Sequence, residues 1–257
     1  GAHEPDHADP IRWAPAAKRV RHDQPAASTT VSTVGDLYDA IANAPDGSGD
    51  FIIEAAPGFY EDPTQTNRRV NLPTAALENL ATINRRVQIR GTPGETVFQA
   101  FSAINSPTEL APGVYGVRNL DLAWLTIQPR LTRTSGGALL DDTVRGPLLR
   151  VARDSHVRAW GLVIDGVDNR WHVGVYLGDG HGSDGSIPGA EFEITDSYIG
   201  GVKQAFTADA GYAPQRDSCR KLIVARSVIN PANDLMQANG GARALIEGNR
   251  VIGGGGF

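Results

Sequence analysis

The sequence holds a single cysteine, Cys219, and a single methionine. One cysteine forms no intrachain disulfide, so a disulfide-stapled scaffold is excluded and the redox compartment stays unread. No apolar run approaches the roughly 20 residues of a membrane-spanning helix. No hydrophobic signal segment is present, although a secreted protein with its signal removed would read the same way. Basic residues are outnumbered, 24 Lys and Arg against 29 Asp and Glu, for a net charge of −5. That balance argues against a dedicated nucleic-acid binder, which shows a basic face, but leaves room for a local basic groove. Phosphate-loop, zinc-ligand and nucleophile motifs are also missing. Asp154, Ser155 and His156 are neighbours in sequence, which is no evidence of a catalytic triad.

Glycine (30) and proline (16) are plentiful, and 40% of the 257 residues are hydrophobic. This describes a turn-rich chain with a branched aliphatic core, long enough for one elongated domain or two small ones. The clearest stretch is Glu191–Gly201, EFEITDSYIGG. Its apolar residues alternate, then a polar pair and a double glycine close it, which reads as a strand and a tight turn. The pattern recurs at 119, 156, 191 and 221. The second position is apolar (Leu120, Val157, Phe192, Leu222), as is the fourth (Leu122, Ala159, Ile194, Val224). The ninth is isoleucine each time: Ile127, Ile164, Ile199, Ile229. A fifth copy near 244 leaves open whether Val251 or Ile252 takes the ninth place.

Strand-type repeats at this spacing predict stacked coils, each burying its apolar face against the next. An ordinary β-sandwich with chance similarity among its strands is the alternative, and the fixed isoleucine argues against it. The predicted fold is all-β, a single-stranded right-handed parallel β-helix spanning 31–257, with an extended or disordered arm over 1–30. Val34, Leu37, Tyr38 and Ile41 share one helical face behind Thr33 as N-cap, and Pro45 and Gly47 stop it. Such a helix suits a cap over the first coil, where strand edges and apolar side chains need cover. Residues 61–86 read as a long polar insertion. The sequence stops at GGGGF directly after a coil, so the expectation is a C-terminally incomplete solenoid, or an end covered by a partner subunit in an oligomer.

The opening Val31-x-Thr33, Leu37, Ala40-Ile41, Ala44, Gly49-Asp50, Ile52, Pro57-Gly58 and Tyr60 resembles the N-terminal cap and first coil of the pectin-lyase-like parallel β-helix superfamily. It is similar in particular to the chondroitinase B and alginate lyase branch, and with the later coils the resemblance covers about 31–254. The fold hosts lyases, hydrolases, esterases and non-catalytic spikes, so it constrains function weakly. The resemblance implies an extracellular or cell-surface polysaccharide lyase that cleaves a uronic-acid polymer by β-elimination. Such an enzyme needs a base, a cation that neutralises the uronate carboxylate, and a proton donor for the leaving oxygen. Lys or Arg often serves as base in this family, and Ca²⁺ as the neutralising charge.

On that expectation the catalytic candidates are Lys203, Arg216 and Arg220, from the apparent loop 200–220, and His181 from 178–185. Tyr212, Tyr176 and Trp171 are the sugar-stacking candidates. Asp179, Asp184 and Asp209 are the Ca²⁺ candidates, since carboxylates in a glycine-rich loop suit an oxygen-ligated ion. Each has a plainer reading: Arg216 with Asp217 as a surface ion pair, Lys203 as a solvated side chain, 178–185 as a turn. Asn233, Asp234 and Gln237, with Ser197, Ser227 and Asn249, read as a structural turn ladder. Trp160 reads as core or a stacked turn. A non-catalytic spike, adhesin or surface-binding module is the alternative function, and a glycoside hydrolase built on His181 a further one.

Overall fold

A computed structural model describes residues 24–103, 109–129, 146–167, 171–179, 186–209, 217–239 and 241–252. Every ladder between its named strands is parallel, and each strand pairs with the equivalent strand of the next coil. That is a parallel β-helix. One sheet stacks β1 (Thr29–Val31), β2 (Phe51–Ala55), β5 (Val87–Arg90), β8 (Leu120–Ala123), β11 (His156–Trp160), β14 (Ala190–Thr195), β16 (Asp217–Ala225) and β18 (Gly241–Glu247).

The second sheet has two walls. Its first wall holds β3 (Gly58–Tyr60), β6 (Thr96–Gln99), β9 (Thr126–Gln128) and β12 (Val163–Asp165). The other wall holds β4 (Val70–Asn71), β7 (Phe101–Ala103), β10 (Leu149–Ala152) and β13 (Trp171–Asp179). The walls merge because β15 (Tyr198–Asp209) runs through the corner unbroken and pairs with β12 at its start and β13 beyond. Beside it lie β17 (Val228–Asn239) and β19 (Arg250–Val251).

The repeated isoleucine is the stacking register itself. Tyr60, Phe98, Ile127, Ile164, Ile199, Ile229 and Val251 pair in sequence across seven coils. Those from Phe98 to Ile229 are fully buried; each contributes about 1.5–3 kcal/mol by leaving water. The last pairing resolves the fifth repeat. Val251, not Ile252, takes the isoleucine place, and Ala244 pairs with Leu222. The copy therefore begins one residue earlier than the sequence suggested.

The turn after each of the last five strands of the first sheet is equally regular. Trp124, Gly161, Asp196, Arg226 and Gly248 all have φ between 49° and 61°. The residue that follows supplies a polar ladder. Ser197 Oγ accepts from the Leu162 N–H (3.0 Å), Ser227 Oγ from the Ser197 N–H (3.1 Å), and Asn249 Oδ1 from the Ser227 N–H (2.8 Å). The ladder reading of Ser197, Ser227 and Asn249 holds. Trp160 packs edge-on against the turn residue Trp124, ring centroids 6.2 Å apart.

The cap is α1 (Val34–Ala42), whose Leu37 and Ile41 are fully buried. Thr33 Oγ1 accepts from the Asp36 N–H at 3.1 Å, the expected N-cap bond. The 61–86 segment is not simply a polar insertion. It carries β4 and a second helix, α2 (Thr74–Thr82), which buries Ala76, Leu77, Leu80 and Ala81. Asn79 on α2 donates to the carbonyls of Ile41 (2.7 Å) and Ala44 (3.0 Å), tying the C-terminal end of α1 to α2. Tyr38 on α1 donates to Asp62 and accepts from the Asn71 N–H, each at 3.0 Å. Burial raises this phenol well above its ordinary value. At the opposite end the last coil leaves Leu245, Ile246 and Val251 exposed.

Candidate functional site

The second wall of the merged sheet sorts its residues by parity. Val70, Phe101, Leu149, Val175, Phe206 and Met236 pair in one row, and the first five are fully buried in the core. The next residue of each strand therefore faces outward. These form a second row: Asn71, Ser102, Arg150, Tyr176, Thr207 and Gln237. At about 4.8 Å per strand the row runs about 24 Å along the coil stack. It is polar throughout, and its longer side chains are those that sugars use for hydrogen bonding and stacking.

Arg150 does not stand alone. A Cβ built on Gly146 would lie 3.6 Å from Nη2 of Arg150 and equally close to Nη2 of Arg69. Two guanidinium groups thus flank one glycine at the edge of the wall. Arg69 is almost fully buried and donates to the Pro147 carbonyl at 2.6 Å.

At the other end of the row, Gln204 and Thr207 on β15 meet Asp234 and Gln237 on β17. Gln204 Nε2 donates to Asp234 Oδ2 (3.2 Å) and to Gln237 Oε1 (2.8 Å), and Thr207 Oγ1 donates to Gln204 Oε1 (3.2 Å). Gln204 and Thr207 are buried, at 6% and 5% exposure, while Gln237 is exposed. Register shifts at Gly200–Val202 and Val202–Gln204 make this meeting happen. Beyond them Ala205 and Phe206 are both fully buried in the core, a break in alternation that leaves Gln204 and Thr207 side by side.

The corner that feeds this wall is built on Gly200 and Gly201, the double glycine that closes Glu191–Gly201. A Cβ on Gly200 would sit 2.2 Å from the Tyr198 hydroxyl, and Gly201 has φ 63° with Asp165 Oδ1 in the way of any side chain. Tyr198 is buried, which raises its phenol, and Asp165 raises it further.

The structure distributes the sequence candidates as follows. The apparent loop 200–220 is largely strand: β15 reaches Asp209 and β16 begins at Asp217. Lys203 is exposed on β15, beside Gln204 and on the outer face. Tyr176 lies in the outer row. Trp171 and Asp179 are the end residues of β13, and Asp209 ends β15. The pairing of Leu177 with Ala208 puts Asp179 and Asp209 at the same edge of adjacent strands. Arg220 stands on the other sheet, where it pairs with Glu191. It does not share a face with Lys203. His181, Asp184, Tyr212 and Arg216 lie outside the described residues. Among the described residues, no group of three or more His, Cys, Asp or Glu could hold a metal ion.

Sequence reasoning missed Arg150 and the Gln204 cluster as site residues. The partners of Gln204 lie one coil away, at separations of 30 and 33 residues, and Arg69 is further still from Arg150, so no local motif marks them.

The other sheet carries a structural charge network. Asp121 is fully buried and accepts from Arg86 Nε (2.7 Å) and from Arg158 Nε (2.9 Å) and Nη2 (2.5 Å). His156 nearby has its pKa lowered by burial first and by Arg86 next, with Glu191 opposing.

No protein-family model and no curated protein sequence matches the chain. Solved structures that resemble it are pectin methylesterases. One is a variant in complex with a hexasaccharide, 12% identical over 84% of this chain and 71% of that one, with a TM-score of 0.38. The rice weevil enzyme is 13% identical over 92% and 81%, TM-score 0.41, and the Aspergillus niger enzyme 13% over 91% and 88%, TM-score 0.33. None belongs to the chondroitinase B and alginate lyase branch. Likenesses this distant decide nothing about activity, and the parallel β-helix rests on the strand register itself.

Proposed function

We propose that this protein is a polysaccharide lyase that binds an anionic, uronic-acid polymer along the outer face of the second wall and cleaves it by β-elimination. The observation that carries this reading is the outward row from Asn71 to Gln237, with the exposed Lys203 beside it. Arg150, flanked by Arg69, supplies positive charge for a substrate carboxylate, and Tyr176 supplies a ring and a hydroxyl. Lys203 is the base. It takes the proton from the carbon alpha to the carboxylate, the electron pair forms the new double bond, and the glycosidic carbon–oxygen bond breaks. The leaving oxygen collects a proton from water or a neighbouring acid. Thr207 lies four residues beyond Lys203, about 13 Å along the strand, so Arg150 holds the carboxylate of a neighbouring sugar and not the one beside the base.

A Ca²⁺ ion held by Asp179, Asp184 and Asp209 is part of the proposal; Asp179 and Asp209 end adjacent strands, one residue out of register. The ion would neutralise the uronate carboxylate. In this reading the protein works outside the cell or at its surface.

The test is ultraviolet absorbance of the unsaturated product on alginate, pectate and glycosaminoglycans, with and without Ca²⁺. Product that vanishes in Lys203→Ala supports the reading. No product on any polymer sinks it, and methanol released from methyl-esterified pectin would assign a hydrolytic esterase instead.

A further inference from the structure

The amide of Gln204 is fully committed, and what commits it also orients its neighbours. The Asp234 carboxylate only accepts hydrogen bonds when ionised. The Gln204 atom 3.2 Å from it is therefore the nitrogen, which leaves the Gln204 carbonyl for Thr207 Oγ1, also at 3.2 Å. The same nitrogen, 2.8 Å from Gln237, demands the Gln237 carbonyl there. One carboxylate thus fixes the orientation of two amides. Gln237 is exposed, and its Nε2 donors consequently point away from the cluster toward solvent. An exposed glutamine normally keeps its rotamer freedom, and holding it in one orientation has an entropic cost. Surface stability does not require that expense.

The geometry points to a sugar-binding subsite in which Gln237 Nε2 donates to, and Asp234 accepts from, adjacent oxygens of one pyranose ring, with Gln204 as the positioning residue behind them. The chemistry matches the ligand class: a donor and an acceptor side by side suit vicinal hydroxyls, or a hydroxyl beside a ring oxygen. Tyr176, beside the buried Thr207 in the same row, extends the polar surface to the next sugar. The subsite deepens the proposed function but does not depend on elimination chemistry. A protein that only binds the polymer would use it identically.

The experiment is a titration of uronate oligosaccharides and their neutral, carboxyl-reduced counterparts, followed by saturation-transfer NMR. The variants are Gln237→Leu, Gln204→Met and the double substitution. Losing one oriented hydrogen bond predicts about a tenfold rise in Kd for Gln237→Leu. Gln204→Met weakens binding similarly through Gln237, and adds little in the Gln237→Leu background. That non-additivity is the signature a purely structural role for Gln204 would not give. If Gln204→Met does not fold, the exposed Gln237→Leu carries the test alone.

Unchanged affinity in Gln237→Leu overturns the proposal, as does a wild-type protein that binds neither class of oligosaccharide. Binding without any unsaturated product leaves the subsite standing and removes the lyase. Unsaturated product with an unaltered KM in Gln237→Leu does the reverse.

Discussion

The Ser197 backbone N–H, in a turn buried within the stack, donates to the Ser227 hydroxyl of the following coil at 3.1 Å. Ser227 Oγ in turn donates to the Ala225 carbonyl at 2.9 Å. Ser227→Ala removes both at once and leaves the Ser197 N–H without its acceptor. The expected cost is about 1–3 kcal/mol, read as a lower denaturation midpoint with an unchanged slope. Ser227→Asn keeps an acceptor of the kind Asn249 already supplies one coil later and is expected to lose much less.

Ile199 tests the core in the same way. It pairs with Ile164 on one side and Ile229 on the other and is fully buried. Ile199→Ala leaves a cavity between rigid neighbours and costs about 2–5 kcal/mol, whereas Ile199→Val costs about 0.5–1.5 kcal/mol. Urea denaturation of the two variants gives the comparison. Equal losses would mean that the stack relaxes around the gap.

Asp121 is the most exacting electrostatic position. Removing its carboxylate strands Arg86 and Arg158 against a fully buried site. Asp121→Ala is expected to cost about 3–5 kcal/mol, because an uncompensated buried charge is far worse than no pair at all. Arg158 is more than a third exposed, so Arg158→Ala alone costs about 1 kcal/mol at most once solvent screening is counted.

His156 gives the pH dependence. Its folded pKa lies below the ordinary value of 6.5, through burial and then Arg86. The unfolded chain therefore binds its proton more readily than the native one. The neutral histidine's contribution is complete above the unfolded pKa and is lost as pH falls through that value toward the folded one. His156→Gln should flatten the stability profile in that window and leave it unchanged at higher pH. Thermal melts across the acid range read this directly.

Much of the stack was legible because it is periodic. The ninth-position isoleucines and the Ser197–Ser227–Asn249 ladder keep fixed places within windows of uneven separation, and Thr33 obeys a local N-cap rule. The helix Thr74–Thr82 was not legible for physical reasons. Pro73 at its N-cap makes no side-chain bond, and its buried face is half alanine, so the apolar stripe is faint. The outer-wall site was hidden differently. Gln204 meets Thr207 only because Ala205 and Phe206 both turn into the core, and a period-two reading from Phe206 does not place the two together. Its partners Asp234 and Gln237 looked like turn ladder because their meeting with β15 is a fact of stacking, not of sequence proximity.

The central claim is that the wall carrying Lys203 cleaves a uronic-acid polymer. The most direct measurement is initial-rate ultraviolet absorbance on the polymer panel, wild type against Lys203→Ala, with Arg150→Ala beside them. Loss of the base is expected to lower kcat by about 10²–10⁴-fold, with the fold intact by thermal melt, while Arg150→Ala raises KM. Wild-type levels of unsaturated product in Lys203→Ala, or no such product from the wild-type protein on any polymer, would contradict the account.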